Sequence, residues 1–204
     1  IARIAAALER MAPQPTVGVG WLAKPAYVWG GSGARELPSL DAPSLDELRG
    51  IDDQKASVYE NVARLALGLA SHDMLLWGSR GMGKSALLRA SVKFVQEHDP
   101  NALGLVQVAA DALHTLPNLF ATLGQQRRQY VIFIDDLGFA EDDSVGPRRL
   151  RSWLEGGVEA RPANTRLAVT SNRRAILARQ ANEQETSGGD GPLNPRDALD
   201  DKLA

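Results

Sequence analysis

The stretch "LLWGSRGMGKSALLRA", residues 75–90, decides the fold. It opens on apolar residues, breaks at Gly78, Gly81 and Gly83, and resumes at Lys84 with apolar residues at helical spacing. A short apolar run bounded by glycine reads as a buried strand, and the segment after it as a helix. Glycine at such a junction lets backbone come close to something. Working outward, the alternation repeats. "DMLLWG" reads as a buried strand, 84–98 as a helix, "LGLVQV" as a strand and 116–126 as a helix. Then "YVIFIDD" reads as a very apolar strand, 147–156 as a helix and "RLAVTSN" as a further strand. Short apolar strands separated by helices of this length form right-handed βαβ crossovers. The expected class is therefore α/β, with a parallel sheet covered by helices on both faces.

Upstream, "DDQKASVYENVARLALGLA" puts Val58, Val62, Leu65, Ala66 and Leu69 on one helix face, behind a capping signal at Ser44 and Glu47. Residues 1–11 carry Ile1, Ile4, Ala5 and Leu8 at helical spacing. Between Pro13 and Pro43 glycine and proline are frequent, with Trp21, Tyr27 and Trp29 interspersed. This segment is expected to lack regular structure and to pack through its aromatics. The expected division is a helix plus arm over 1–43 and a core over 44–204. The tail from Glu183 is polar, with "SGGDGP" as a loop.

Composition limits the rest. At 204 residues there is room for one sizeable α/β domain with flanking arms. Lys and Arg total 23 against 25 Asp and Glu, which removes the global charge footprint of a dedicated nucleic-acid binder. There are no cysteines, so no disulfide framework or thiolate metal site, and a reducing cytoplasm fits. The three histidines, His72, His98 and His114, are far apart and read as surface or packing residues. No apolar stretch approaches the length that spans a bilayer. The first residue is Ile1 rather than Met, so the natural start is expected to lie upstream.

Gly78, Gly83, Lys84 and Ser85 satisfy G-x-x-x-x-G-K-[ST], the phosphate-binding loop of P-loop nucleotidases. Backbone N–H groups at the positive end of a helix can converge there on phosphate oxygens. Gly78, Ser79, Arg80, Gly81, Met82, Gly83, Lys84, Ser85 and Ala86 form the candidate nucleotide-binding set, with Arg80 and Met82 at variable positions. Lys84 supplies a mobile positive charge to the β- and γ-phosphates, and Ser85 a hydroxyl ligand to Mg²⁺. The plainer alternative is a glycine-rich turn with an exposed lysine. A second signal weighs against it: "YVIFIDD" ends in Asp135 and Asp136. At the carboxyl end of a strand beside such a loop, Asp135 suits an outer-sphere or direct partner of Mg²⁺, and Asp136 suits the attacking water. The plainer alternative for the pair is a helix cap. In a near-dry pocket the two anions would repel, and a metal would offset that cost. "RLAVTSNRR" supplies a third element, Thr170, Ser171 and Asn172 at the same sheet edge. Asn172, with one donor and one acceptor group, can hold water and a γ-phosphate oxygen together.

With those residues in place, the chain resembles the AAA+ ATPases. "GSRGMGKS" matches their Walker A loop, "VIFIDD" their Walker B strand and "AVTSNR" their sensor 1 strand. In detail it is similar to the DUF815 family of bacterial AAA+ proteins, through "RGIDDQKASVYENVARLALG", "LLWGSRGMGKS", "IDDLGF", "TSNRR" and "LNPRDALDDKLA". The resemblance covers roughly residues 45–204 and implies a three-layer fold with strand order 5-1-4-3-2. It also implies ATP or ADP with Mg²⁺, a ring or helical homo-oligomer, and an adenine pocket lined by Gly50 and Ile51. The Walker B acid that is usually Glu is here Asp136, about 1.5 Å shorter in reach. The fifth strand, the arginine finger and the helical lid are expected beyond Ala204. Arg148, Arg149 and Arg151 read as a solvated helix face, or as residues acting across an interface, and Arg173 and Arg174 stand nearer the strand ends.

The expected function is Mg²⁺-dependent ATP hydrolysis coupled to the geometry of neighbouring subunits or a partner, in the bacterial cytosol. Two rivals stay open: a nucleotide-gated binding module with little turnover, and a helicase-loader-like ATPase acting on DNA.

Overall fold

A computed structural model of the chain describes residues 19–137 and 161–172. The sequence-predicted helices over 1–11 and 147–156, the polar tail, and Arg148, Arg149, Arg151, Arg173 and Arg174 lie outside the described residues. Six strands form one sheet: β1 (Ala26–Trp29), β2 (Ala34–Leu37), β3 (Met74–Trp77), β4 (Leu103–Val108), β5 (Gln129–Ile134) and β6 (Thr165–Ser171). Their spatial order is β2-β1-β4-β5-β6-β3, and every neighbouring pair is parallel except β1 with β2. The run β3-β6-β5-β4 is the expected 1-4-3-2 arrangement of an AAA+ sheet.

Side-chain alternation builds two cores, one on each face. Along β5, Tyr130, Ile132 and Ile134 enter one cluster while Val131 and Phe133 enter the other. The first cluster meets α3 (Leu116–Gly124) through Leu116, Leu119, Phe120 and Leu123. The second meets α1 (Asp52–Ala66) through Val62 and Leu65, and α2 (Lys84–His98) through Leu88, Val92 and Val95. This is the two-sided burial that makes central parallel strands read as continuous apolar runs. Each fully buried Leu or Phe contributes about 1.5–3 kcal/mol of transfer free energy.

Three expectations are corrected. The Gly/Pro-rich arm is not devoid of regular structure: residues 26–37 form a hairpin whose first strand pairs in parallel with β4. "AYVW" alternates well enough to join the sheet, and Gly30 N–H closes the turn onto the Gly33 carbonyl at 3.0 Å. The β3 segment is only half-buried, because it stands at the sheet edge and has one strand neighbour among the described residues. Leu69 does not lie on the α1 face. The helix ends at Ala66, with Gly68 N–H on Leu65 O at 2.8 Å and Leu69 N–H on Arg64 O at 2.9 Å, and Leu69 is exposed.

The expected packing of the arm's aromatics is observed: Trp21, Tyr27 and Trp29 are all buried. The Trp29 indole donates to Thr115 Oγ1 at 2.8 Å, and a buried guanidinium holds the chain around Trp21. Arg128, just before β5, donates to the carbonyls of Trp21 (3.3 Å), Lys24, Pro100 and Leu103 (2.6 Å each). Tyr130 donates to Trp21 O at 2.9 Å, and Tyr27 to Gly20 O at 2.9 Å. Burial pushes the Arg128 guanidinium below its ordinary range and the Tyr130 phenol above its own, and the proximity of cation and phenol partly opposes both shifts. At the amino ends of β3 and β6, Asp73 accepts from Leu167 N–H at 2.8 Å and pairs with Arg161.

Removing the guanidinium strands those carbonyls in the interior. Arg128→Met is expected to lower the unfolding free energy by about 3 kcal/mol, read as a lower denaturant midpoint. An unchanged midpoint would mean that Arg128 does not anchor the arm.

Candidate nucleotide-binding site

The carboxyl ends of β3, β5 and β6 meet at one point because β6 lies between the other two. Trp77 is in register with Ser171, and Ile134 with Val169. Gly78, Asp135 and Asn172 are therefore brought to the same edge. The loop after β3 is left-handed at Gly81 and Gly83, each with φ 83°, and Gly83 is the N-cap of α2. A side chain in that conformation costs about 1–2 kcal/mol. No protein atom lies within 4 Å of a Cβ built at either position. Backbone conformation, not crowding by protein atoms, thus demands these glycines, and the space they face is an open cradle.

Lys84 begins α2, and its ammonium donates to Gly78 O at 2.8 Å, Ser79 O at 2.9 Å and Asn172 Oδ1 at 3.1 Å. The Asn172 amide donates in turn to Asp136 Oδ1 at 2.5 Å. One side chain thus ties the loop lysine to the second acid, using the donor and acceptor expected of it on different partners. Ser85 Oγ donates to Asp135 Oδ1 at 2.5 Å, which leaves the serine lone pairs to a cation. Asp136 has φ 50°, the one left-handed non-glycine among the described residues. Backbone strain of this kind clusters at functional sites.

Arg80, Gly81, Gly83, Lys84, Ser85, Ala86, Asp135, Asp136, Thr170 and Asn172 line a cleft of about 320 Å³. That is the lower end of the usual range for ligand sites. Gly78 and Ser79 take part through their carbonyls, while Met82 is 62 % exposed. Gly50, with φ 76°, and Ile51, the N-cap of α1, are not among the lining residues. The expectation of a near-dry acid pair is corrected: β5 ends at Ile134, and Asp135 and Asp136 stand beyond it, both exposed. Among the described residues no cluster of three or more His, Cys, Asp or Glu could cage a metal. The donors fit Mg²⁺ instead, which takes one or two protein oxygens and completes its shell with phosphate and water.

The sequence places Thr170 at this sheet edge with Ser171 and Asn172, but only Asn172 is assigned a task there. The Thr170 hydroxyl lies 2.7 Å from Asp135 Oδ1 and accepts Asp136 N–H at 2.8 Å. A threonine in an apolar strand reads as a β-former, and only strand register reveals which loop it meets.

Sheet order and loop define a P-loop α/β fold of the AAA+ type. Residues 23–204 match the family described as "Protein of unknown function (DUF815)", and the chain belongs to that family. No curated protein sequence matches it. Among solved structures, a Thermotoga maritima RuvB P216G mutant is similar at 21% identity and TM-score 0.47, over 72% of this chain and 48% of that one. PCH-2 of C. elegans follows at 14% and 0.44, over 62% and 38%. DnaI is similar at 16% and 0.42, over 80% and 84%. The chain thus spans about half the length of the RuvB structure.

The strain at Asp136 gives a test. Asp136→Gly is expected to be more stable than Asp136→Ala by about 1 kcal/mol, because only glycine adopts that φ freely. Equal melting temperatures for the two variants would show that the left-handed backbone is not imposed.

Proposed function

We propose that this protein binds ATP or ADP with Mg²⁺ at the β3–α2 loop and hydrolyses ATP there. The observation that carries this reading is the convergence of Lys84, Ser85, Asp135 and Asn172 on one glycine-lined cradle. Amides at the α2 N-terminus suit phosphate oxygens. The Lys84 ammonium already rests on two loop carbonyls and can exchange Asn172 for a phosphate oxygen without leaving them. Bound Mg²⁺ would neutralise charge on the β- and γ-phosphates, held by Ser85 and, directly or through water, by Asp135. Asp136 orients the attacking water and takes up its proton, while Asn172 fixes the carboxylate from the side. Gly50 and Ile51 are proposed, from the family resemblance alone, to contact adenine.

The homo-oligomeric ring or helix implied by the resemblance belongs to the same proposal, as does a cytoplasmic setting suited to a cysteine-free chain. No helix among the described residues is long and apolar enough to cross a membrane. A second reading, nucleotide-gated partner binding with little turnover, is favoured by the short reach of Asp136 and its engagement with Asn172. Slow hydrolysis in a protein that binds a partner as tightly with a slowly hydrolysed analogue as with ATP would select it.

Lys84→Ala is expected to weaken ADP binding by about a hundredfold, the scale of one strong charge-assisted contact, as measured by titration calorimetry. Undiminished binding in that variant would remove the loop from the site. Asp135→Asn is expected to bind ADP without Mg²⁺ as the wild type does, and to gain little when Mg²⁺ is added. A full Mg²⁺ response in Asp135→Asn would exclude that carboxylate from the metal.

A further inference from the structure

Thr170 sits on β6 with 1 % of its surface exposed, two residues before Asn172. Its oxygen is committed twice. A backbone N–H can only donate, so the Asp136 amide at 2.8 Å makes the Thr170 oxygen its acceptor, and the single hydroxyl proton is left for Asp135 Oδ1 at 2.7 Å. Ser85 donates to the same Oδ1 at 2.5 Å. Both hydroxyls therefore fall on one carboxylate oxygen, and Asp135 Oδ2 has no protein donor among the described residues. The neighbouring main chain continues the tie. Leu137 N–H donates to Thr170 O at 2.7 Å, and Ser171 Oγ donates to Leu137 O at 3.0 Å. Contact between the two segments is thus prolonged past Ile134, by one backbone hydrogen bond and three that use the Thr170 or Ser171 hydroxyl.

Asp135 is exposed, and an exposed carboxylate without such a tie samples several rotamers. Donors on one oxygen hold the plane of the group and reserve the other oxygen for a cation or its bound water. The same hydroxyl caps the amide of Asp136, whose left-handed backbone needs over-determination to persist. We propose that Thr170 is a positioning residue that sets Mg²⁺ affinity by fixing the Asp135 carboxylate and the Asp136 backbone. This inference rests on the nucleotide and Mg²⁺ reading of the site. It adds a buried residue of the cleft wall whose hydroxyl is engaged by both acids and ties them to the strand that leads to Asn172.

The test compares Thr170→Val, nearly isosteric but without the hydroxyl, with Thr170→Ser, which keeps it. ADP binding to the whole 204-residue chain is titrated without Mg²⁺ and over a range of Mg²⁺ concentrations. Thr170→Val is expected to need about tenfold more Mg²⁺ for the same tightening, the scale of one hydrogen bond to a charged group. Its Mg²⁺-free affinity stays at the wild-type value, and Thr170→Ser restores the Mg²⁺ response. Thr170→Ala carries the same comparison if the valine variant does not fold. A wild-type Mg²⁺ response in Thr170→Val overturns the inference and leaves the nucleotide reading standing. Equal weakening with and without Mg²⁺, or failure of Thr170→Ser to restore the response, also overturns it by reducing Thr170 to packing. Wild-type protein indifferent to Mg²⁺ removes the nucleotide reading and this inference together.

Discussion

The parallel pairing of β6 with β3 on one side and β5 on the other is the constraint on which the site depends. Trp77 opposite Ser171 and Ile134 opposite Val169 fix where three chain segments leave the sheet. A slip of one residue in either pairing would turn every side chain of the displaced strand to the opposite face. The apolar alternation forbids that slip, since Leu167 and Val169 serve one core and Ala168 the other. The geometry of the polar residues is therefore set by the packing of apolar ones, several residues back along each strand.

Given that register, the site holds itself together through a ring of hydrogen bonds, all but one of them to a charged group. Lys84 reaches Asn172, Asn172 reaches Asp136, the Asp136 amide reaches Thr170, and Thr170 and Ser85 share Asp135. Every member lies at a strand end or a helix start, where backbone groups are left over from regular pairing. Rigid elements supply the positions, and the short spans between them supply the chemistry. The left-handed Asp136 is where this arrangement costs stability, and the ring is what keeps it in place.

Much of this was legible in the residues. The loop motif, the apolar β5 strand with its terminal acids and the later polar strand appear in chain order, and the parallel sheet brings them to one edge as expected. The β1–β2 hairpin was harder to see, because its strands are four residues long and lie in a Gly/Pro-rich segment. The signal was nonetheless present, as "AYVW" and "AREL" flank a glycine-rich turn. Arg128 was not legible, since an arginine ahead of a strand reads as solvated, whereas here it spans carbonyls contributed by the arm and by the approach to β4. The role of Thr170 was hidden for the opposite reason: its place at the polar strand end was visible, but it suits a strand so well that its partners emerge only from the register. Gly50 and Ile51 came from likeness alone, and the cleft lining does not include them.

Backbone amide shifts followed by NMR during titration with Mg²⁺ and ADP test whether main-chain amides at the start of α2 cradle phosphate opposite a metal-holding aspartate. Large, saturable shifts are expected at Gly81, Gly83, Lys84 and Ser85, with Asp135 and Asp136 responding further when Mg²⁺ is present. Saturable binding that leaves those amides unmoved, while shifts gather elsewhere on the sheet, would contradict that arrangement.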